Sequence, residues 1–145
     1  RLSSASPTLT FVSYSGAGGM NGEQSGLSVK SMSAIVNPSD KYVYVEESDP
    51  RQYNMGSWII SMGAGSNWID PVAPWHNDYS TLSWADGHAT TKKWLSENTK
   101  KAARNTVGTS SRPGTFSFGF YDKDNRDIMY MKEHYATNRK SGNAL

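Results

Sequence analysis

His76, Asp86 and His88 are the residues whose types and spacing could do chemistry. His76 is followed by nine residues and then by Asp86-Gly87-His88. Two imidazoles and a carboxylate in a chain without cysteine suit zinc or another borderline metal. Glu46 and Glu47 could add oxygen ligands. With an open metal position beside a cleft, such a set would be that of a metal-dependent hydrolase. A structural reading competes and is favoured. In it His76 hydrogen-bonds Asp86 or the neighbouring backbone and clamps the incoming loop to a turn, and Asp86 is simply the turn residue.

Other candidates are weaker. Glu46 and Glu47 are neighbours on one strand, so they point to opposite faces. Whichever faces inward needs a partner, and Arg51 is near enough to supply a buried ion pair that holds residues 48–54. Asp122-Lys123-Asp124-Asn125-Arg126-Asp127 hints at calcium. It lacks the glycine of a calcium-binding loop and places Arg126 at a ligand position, so helix capping explains it better. Trp68 and Trp75 lie in loop-like sequence and could form an exposed carbohydrate platform, whereas Trp58, Trp84 and Trp94 read as core. The glycines at 16, 18 and 19 form no phosphate-binding pattern, and G-x-S-x-G is absent. No residue is assigned a catalytic role.

Composition narrows the classes. A chain of 145 residues predicts a single domain, 1–145, large enough to bury its own core. Hydrophobic residues make up 36% and charged residues 19%, which argues against both disorder and a membrane-embedded chain. The net charge of +2 is mild. The paired lysines, Lys92-Lys93 and Lys100-Lys101, read as solvated faces, and no basic stripe marks a nucleic-acid footprint. Zero cysteine excludes disulfides and thiolate metal sites.

The elements that must position these residues are mostly short strands. Residues 9–14 and 41–47 read as strands. The second is an unbroken β-branched and aromatic run, which predicts burial on both faces. Residues 15–26 carry glycines without apolar periodicity and read as a loop. Residues 29–36 are a short strand or connector, and 57–62 a further strand. Residues 63–67 are a turn, and 71–75 an extended lead-in to His76. Residues 81–94 form a hairpin about Asp86-Gly87, a pair suited to a two-residue type I′ turn. Residues 95–105 have helical composition, with Ser96 as the N-cap. Residues 108–114 are a loop, and 115–121 a strand with Phe116, Phe118 and Phe120 on one face. A helix capped by Asp124 follows, with Ile128, Met131 and Tyr135 at helical spacing. Residues 138–145 read as a flexible tail. The predicted fold is α+β, an antiparallel sheet of hairpins with one or two short helices.

Two blocks of sequence carry a family resemblance. One is the H-x9-D-G spacing itself. The other is Asn37-Pro38-Ser39, then residues 42–51 (YVYVEESDPR), then Asn54-Met55-Gly56-Ser57-Trp58. Together they resemble prepilin-type proteins with an H-X9-DG domain, relatives of type IV pilins and type II pseudopilins. The resemblance implies a structural, non-enzymatic protein with a pilin-like globular head, here lacking the long N-terminal helix. It implies a longer precursor of which this chain is the C-terminal part, anchored in the inner membrane and displayed outside the cytoplasm. The partners implied are like subunits and secretion machinery. A carbohydrate- or surface-binding module and the metal-dependent hydrolase remain as alternatives.

Overall fold

A computed structural model of the chain describes residues 14–47, 56–62, 68–105 and 126–137. The strongest strand signal forms β2, Tyr42–Glu46. β-Branched and aromatic side chains fit its pleated surface. Its neighbours are β1, Tyr14–Ala17, and β4, Tyr79–Trp84, both antiparallel to it. β5, Ala89–Lys93, returns from β4 as a hairpin, and β3, Ser57–Trp58, pairs with β1. The sheet order is β3-β1-β2-β4-β5. The fold is α+β, with one departure from an all-antiparallel sheet: β1 and β3 run parallel.

Helices supply the second layer. α2 spans Glu97–Asn105 and α3 spans Arg126–Glu133. Ile128, Met131 and Tyr135 present one buried stripe to the sheet, as their spacing predicts. They meet Tyr42, Val45, Leu82 and Trp94 in a single core. The aromatic rings pack edge to face: Trp58 on Tyr42, Trp68 on Trp58, and Trp94 on Trp68. Burial pushes the Tyr135 hydroxyl well above its ordinary pKa, and that of Tyr42, which donates to the Met131 carbonyl, likewise. Among the described residues no helix is long and apolar enough to cross a membrane.

The predicted loop at 15–26 is a correction. It contains β1 and a one-turn helix, α1, Gly18–Asn21. The glycines serve close packing. A Cβ at Gly18 would collide with Ile59, and one at Gly19 with the Ala136 carbonyl. Gly19 N–H donates to the Tyr135 hydroxyl at 2.9 Å, which ties α1 to the chain beyond α3. The connector at 29–36 holds a single 3-10 turn at Met32–Ala34 and no strand.

β2 also differs from expectation. Its register shifts between Tyr42 and Tyr44 against β4, so the alternation of faces breaks there. Tyr42 and Val45 both reach the core, and Tyr44 points to solvent. Burial on both faces holds only towards the Glu46 end. The expected strands at 9–14 (apart from Tyr14) and 115–121, the Asp124 cap and the tail lie outside the described residues.

Candidate functional site at the two ends of strand β4

The expected His76–Asp86 clamp is absent. Each residue has another partner, at opposite ends of β4. The strand puts roughly 17 Å between those ends.

At the first end, His76 Nε2 lies 3.1 Å from Glu46 Oε1. A carboxylate only accepts, so Nε2 carries the shared proton, and in a neutral ring Nδ1 is then the acceptor. The second Glu46 oxygen accepts the Thr81 N–H at 2.8 Å. The Glu46 side chain is 3% exposed and that of His76 67%. One buried carboxylate therefore joins three segments: β2, the start of β4 and the arm 71–75. Backbone bonds align that arm, since Ala73 N–H donates to the Glu46 carbonyl at 3.0 Å. Glu47 is buried and bridges to Val72. Arg51, its expected ion-pair partner, lies outside the described residues.

Between arm and strand, His76-Asn77-Asp78-Tyr79 makes a tight turn closed by Tyr79 N–H to the His76 carbonyl at 3.2 Å. Asn77 and Asp78 have φ of 56° and 68°. Two positive values at the central positions are the signature of a type I′ turn. That geometry was expected at Asp86-Gly87 and is found here.

At the second end, the β4–β5 connection is longer than predicted. Trp84 N–H donates to the His88 carbonyl and Gly87 N–H to the Trp84 carbonyl. Gly87 alone takes the left-handed conformation, φ 96°. This is a three-residue connection, a turn followed by a left-handed glycine. Asp86 Oδ1 accepts from the His88 backbone N–H at 3.1 Å and contacts His88 Nδ1. The His88 hydrogen bonds, backbone first, hold the Asp86 carboxyl below its ordinary pKa. His88 stacks flat on Trp84 at 5.5 Å, and Trp84 Nε1 donates to Thr90 Oγ1. His134, from the end of α3, meets the Trp84 ring edge-on and pairs with Asp40 at 2.9 Å.

His76, Asp86, His88 and Glu46 thus form two pairs rather than one ligand set. Among the described residues no group of three or more His, Asp or Glu could hold a metal ion. Of the acidic run at 122–127, Asp127 is described. It is fully buried and accepts from the Leu95 and Ser96 backbone N–H groups and from Lys92 Nζ. It fastens α3 to the β5–α2 junction. Sequence reasoning treated it as part of a capping pattern. A carboxylate opening an apolar helical face was the available signal, and its distant partners were not.

The proposed pair of exposed tryptophans is corrected. Trp68 is 6% exposed, held between Trp58 and Trp94, whereas Trp75 is 48% exposed. Trp58 is in the core, with its Nε1 donating to the Pro71 carbonyl at 3.2 Å. Of the lysines read as solvated, Lys100 is mostly buried, its side chain 13% exposed, and so is Lys92. Lys92 lies over the Trp94 and Tyr130 rings, 5.2 and 4.8 Å from their centroids, and reaches Asp127.

No family model, curated protein or solved structure matches the chain.

Proposed function

We propose that this chain is the globular head of a pilin- or pseudopilin-like structural protein, working by assembly rather than turnover. One observation carries the reading. The two sequence blocks that bear the resemblance meet at Glu46, which belongs to the 37–58 block and binds His76 and the Thr81 N–H of the H-x9-D-G block. The residues of the H-x9-D-G signature have mechanical work to do. His76 fastens the arm to β2, and Asp86 with Gly87 shapes the hairpin. A motif whose polar groups bond to neighbouring side chains and to backbone suits a scaffold. In this reading the parent protein is displayed outside the cytoplasm on an apolar N-terminal helix. It assembles with like subunits and secretion machinery.

The test is mass-spectrometric sequencing of the native protein's N-terminus, recovered from its own cells by fractionation. The reading expects a peptidase-processed apolar segment of about 20 residues ahead of the head, and recovery with membranes or filaments. A native protein without such a segment, recovered free of both, sinks it.

A further inference from the structure

We propose that the turn at Trp75–Asn77 is a recognition tip for a neutral pyranose sugar, with the Trp75 indole as its stacking platform. Other large apolar side chains are exposed, among them Tyr44, Leu95 and Met129. Single exposed apolar residues need no explanation by themselves. Trp75 differs in its mount and in its neighbours.

The mount is rigid on both sides. Residues 71–74 are buried, and the arm is held by Ala73 N–H to the Glu46 carbonyl and by Ser80 Oγ–H to the Ala73 carbonyl. After Trp75 the chain enters the type I′ turn. That turn is fixed by its own closing hydrogen bond, by His76 on Glu46 and by Trp94 N–H on the Asp78 carbonyl at 2.8 Å. An aromatic ring on a fixed backbone loses little freedom when it binds.

The neighbours select the ligand. The two residues that follow Trp75 in the chain, His76 and Asn77, are both exposed and both carry hydrogen-bonding side chains. With Nε2 committed to Glu46, Nδ1 is the nitrogen left to accept a hydrogen bond. A pyranose has the matching pattern of an apolar C–H face and a rim of hydroxyls. A protein partner fits poorly. Its interface needs about 800 Å² on each side, and on the described chain to either side of Trp75 residues 71–74 are buried and residues 76–78 are polar. Anionic ligands fit poorly too. The carboxylates of Glu46 and Asp78 flank the turn, and the nearby cations are engaged, Lys100 with Asp78 and Glu97, Lys93 over the Tyr79 ring.

The test is NMR titration of the whole chain with cellotriose, triacetylchitotriose and maltotriose, reading the tryptophan indole N–H signals and saturation transfer to the sugar. The expected result is a selective shift of the Trp75 signal by at least one of the three. Trp75→Ala should weaken binding roughly tenfold or more, and Trp75→Tyr should keep most of it. Trp75 is half exposed, so both variants should keep the wild-type amide spectrum away from the turn. His76→Gln should alter affinity while leaving stacking in place. Overturning results are no shift at millimolar sugar, a shift centred elsewhere, or binding that survives Trp75→Ala. Binding to an unrelated protein fragment but to no sugar would likewise overturn it. None of these outcomes bears on the N-terminal processing test above.

Discussion

Two histidine–carboxylate pairs lie at the two ends of β4, and they do different work. Glu46 and His76 are 30 positions apart in sequence, and the carboxylate is buried. Asp86 and His88 are two positions apart, with side chains 35% and 44% exposed. The same chemical partners give a long-range fastener in one case and local turn chemistry in the other. Burial makes the difference. A buried carboxylate must find donors, because leaving it unsatisfied is costly. An exposed one can turn to water at little cost.

Glu46→Ala is therefore expected to have the largest effect. It leaves the Thr81 N–H and His76 Nε2 without their shared acceptor, costing about 3 kcal/mol. For a chain of this size that lowers Tm by roughly 10 °C in a thermal melt. A loss no greater than that of Asp86→Ala would break the comparison. Gly87→Ala comes next, at about 1 kcal/mol, read from urea unfolding. Nothing lies within 4 Å of a Cβ placed there, so the cost is conformational alone. His76→Ala should cost about 1 kcal/mol or less, because Glu46 keeps the Thr81 bond. A larger loss would mean that the imidazole, not the carboxylate, carries the join.

The smallest effect belongs to pH at the exposed pair. Asp86 has its pKa lowered from 3.8 by hydrogen bonds from His88. A group with a depressed folded pKa contributes stability above its unfolded value and loses it as pH falls through the folded one. The Asp86 side-chain carboxyl carbon signal should therefore show its own protonation step only below about pH 4. In Asp86→Asn that acid step should vanish. An Asp86 protonation midpoint at or above 3.8 would show that the turn hydrogen bonds do not hold the carboxylate. At the alkaline end the sign reverses. Tyr42 and Tyr135 have raised values, so their contribution is complete below about pH 10 and fades above it. Tyrosinate absorbance from both should emerge only as the protein unfolds.

Periodic signals were legible in the sequence. β2 came from its β-branched run, the hairpin from Asp86-Gly87 between apolar stretches, and the α3 stripe from the spacing of Ile128, Met131 and Tyr135. Signals that depend on distant partners were not. Gly18 and Gly19 looked like loop glycines because the Ile59 and Ala136 atoms that crowd them lie far along the chain. Trp68 looked exposed because its neighbours are loop-like, yet Trp58 and Trp94 enclose it. The identity of the His76 partner could not be read locally, since Asp86 or the backbone was expected and only the β2–β4 register brings Glu46 to the start of β4. The type I′ turn was expected at Asp86-Gly87 and falls at Asn77-Asp78, because Asn and Asp tolerate positive φ nearly as well as a glycine-containing pair.

The strand order has a consequence for how the chain folds. β4 and β5 are adjacent in sequence and can zip as a hairpin within microseconds. β1 has no such local partner. It pairs with β2 and, in parallel, with β3, both of which follow it by long stretches of chain. During synthesis β1 must wait as an open edge until both have emerged. Loop closure, rather than local propensity, then sets the pace of folding. The glycine-rich stretch from Gly16 to Gly19 would thus be among the last parts to lock, although it ends in some of the tightest packing in the molecule.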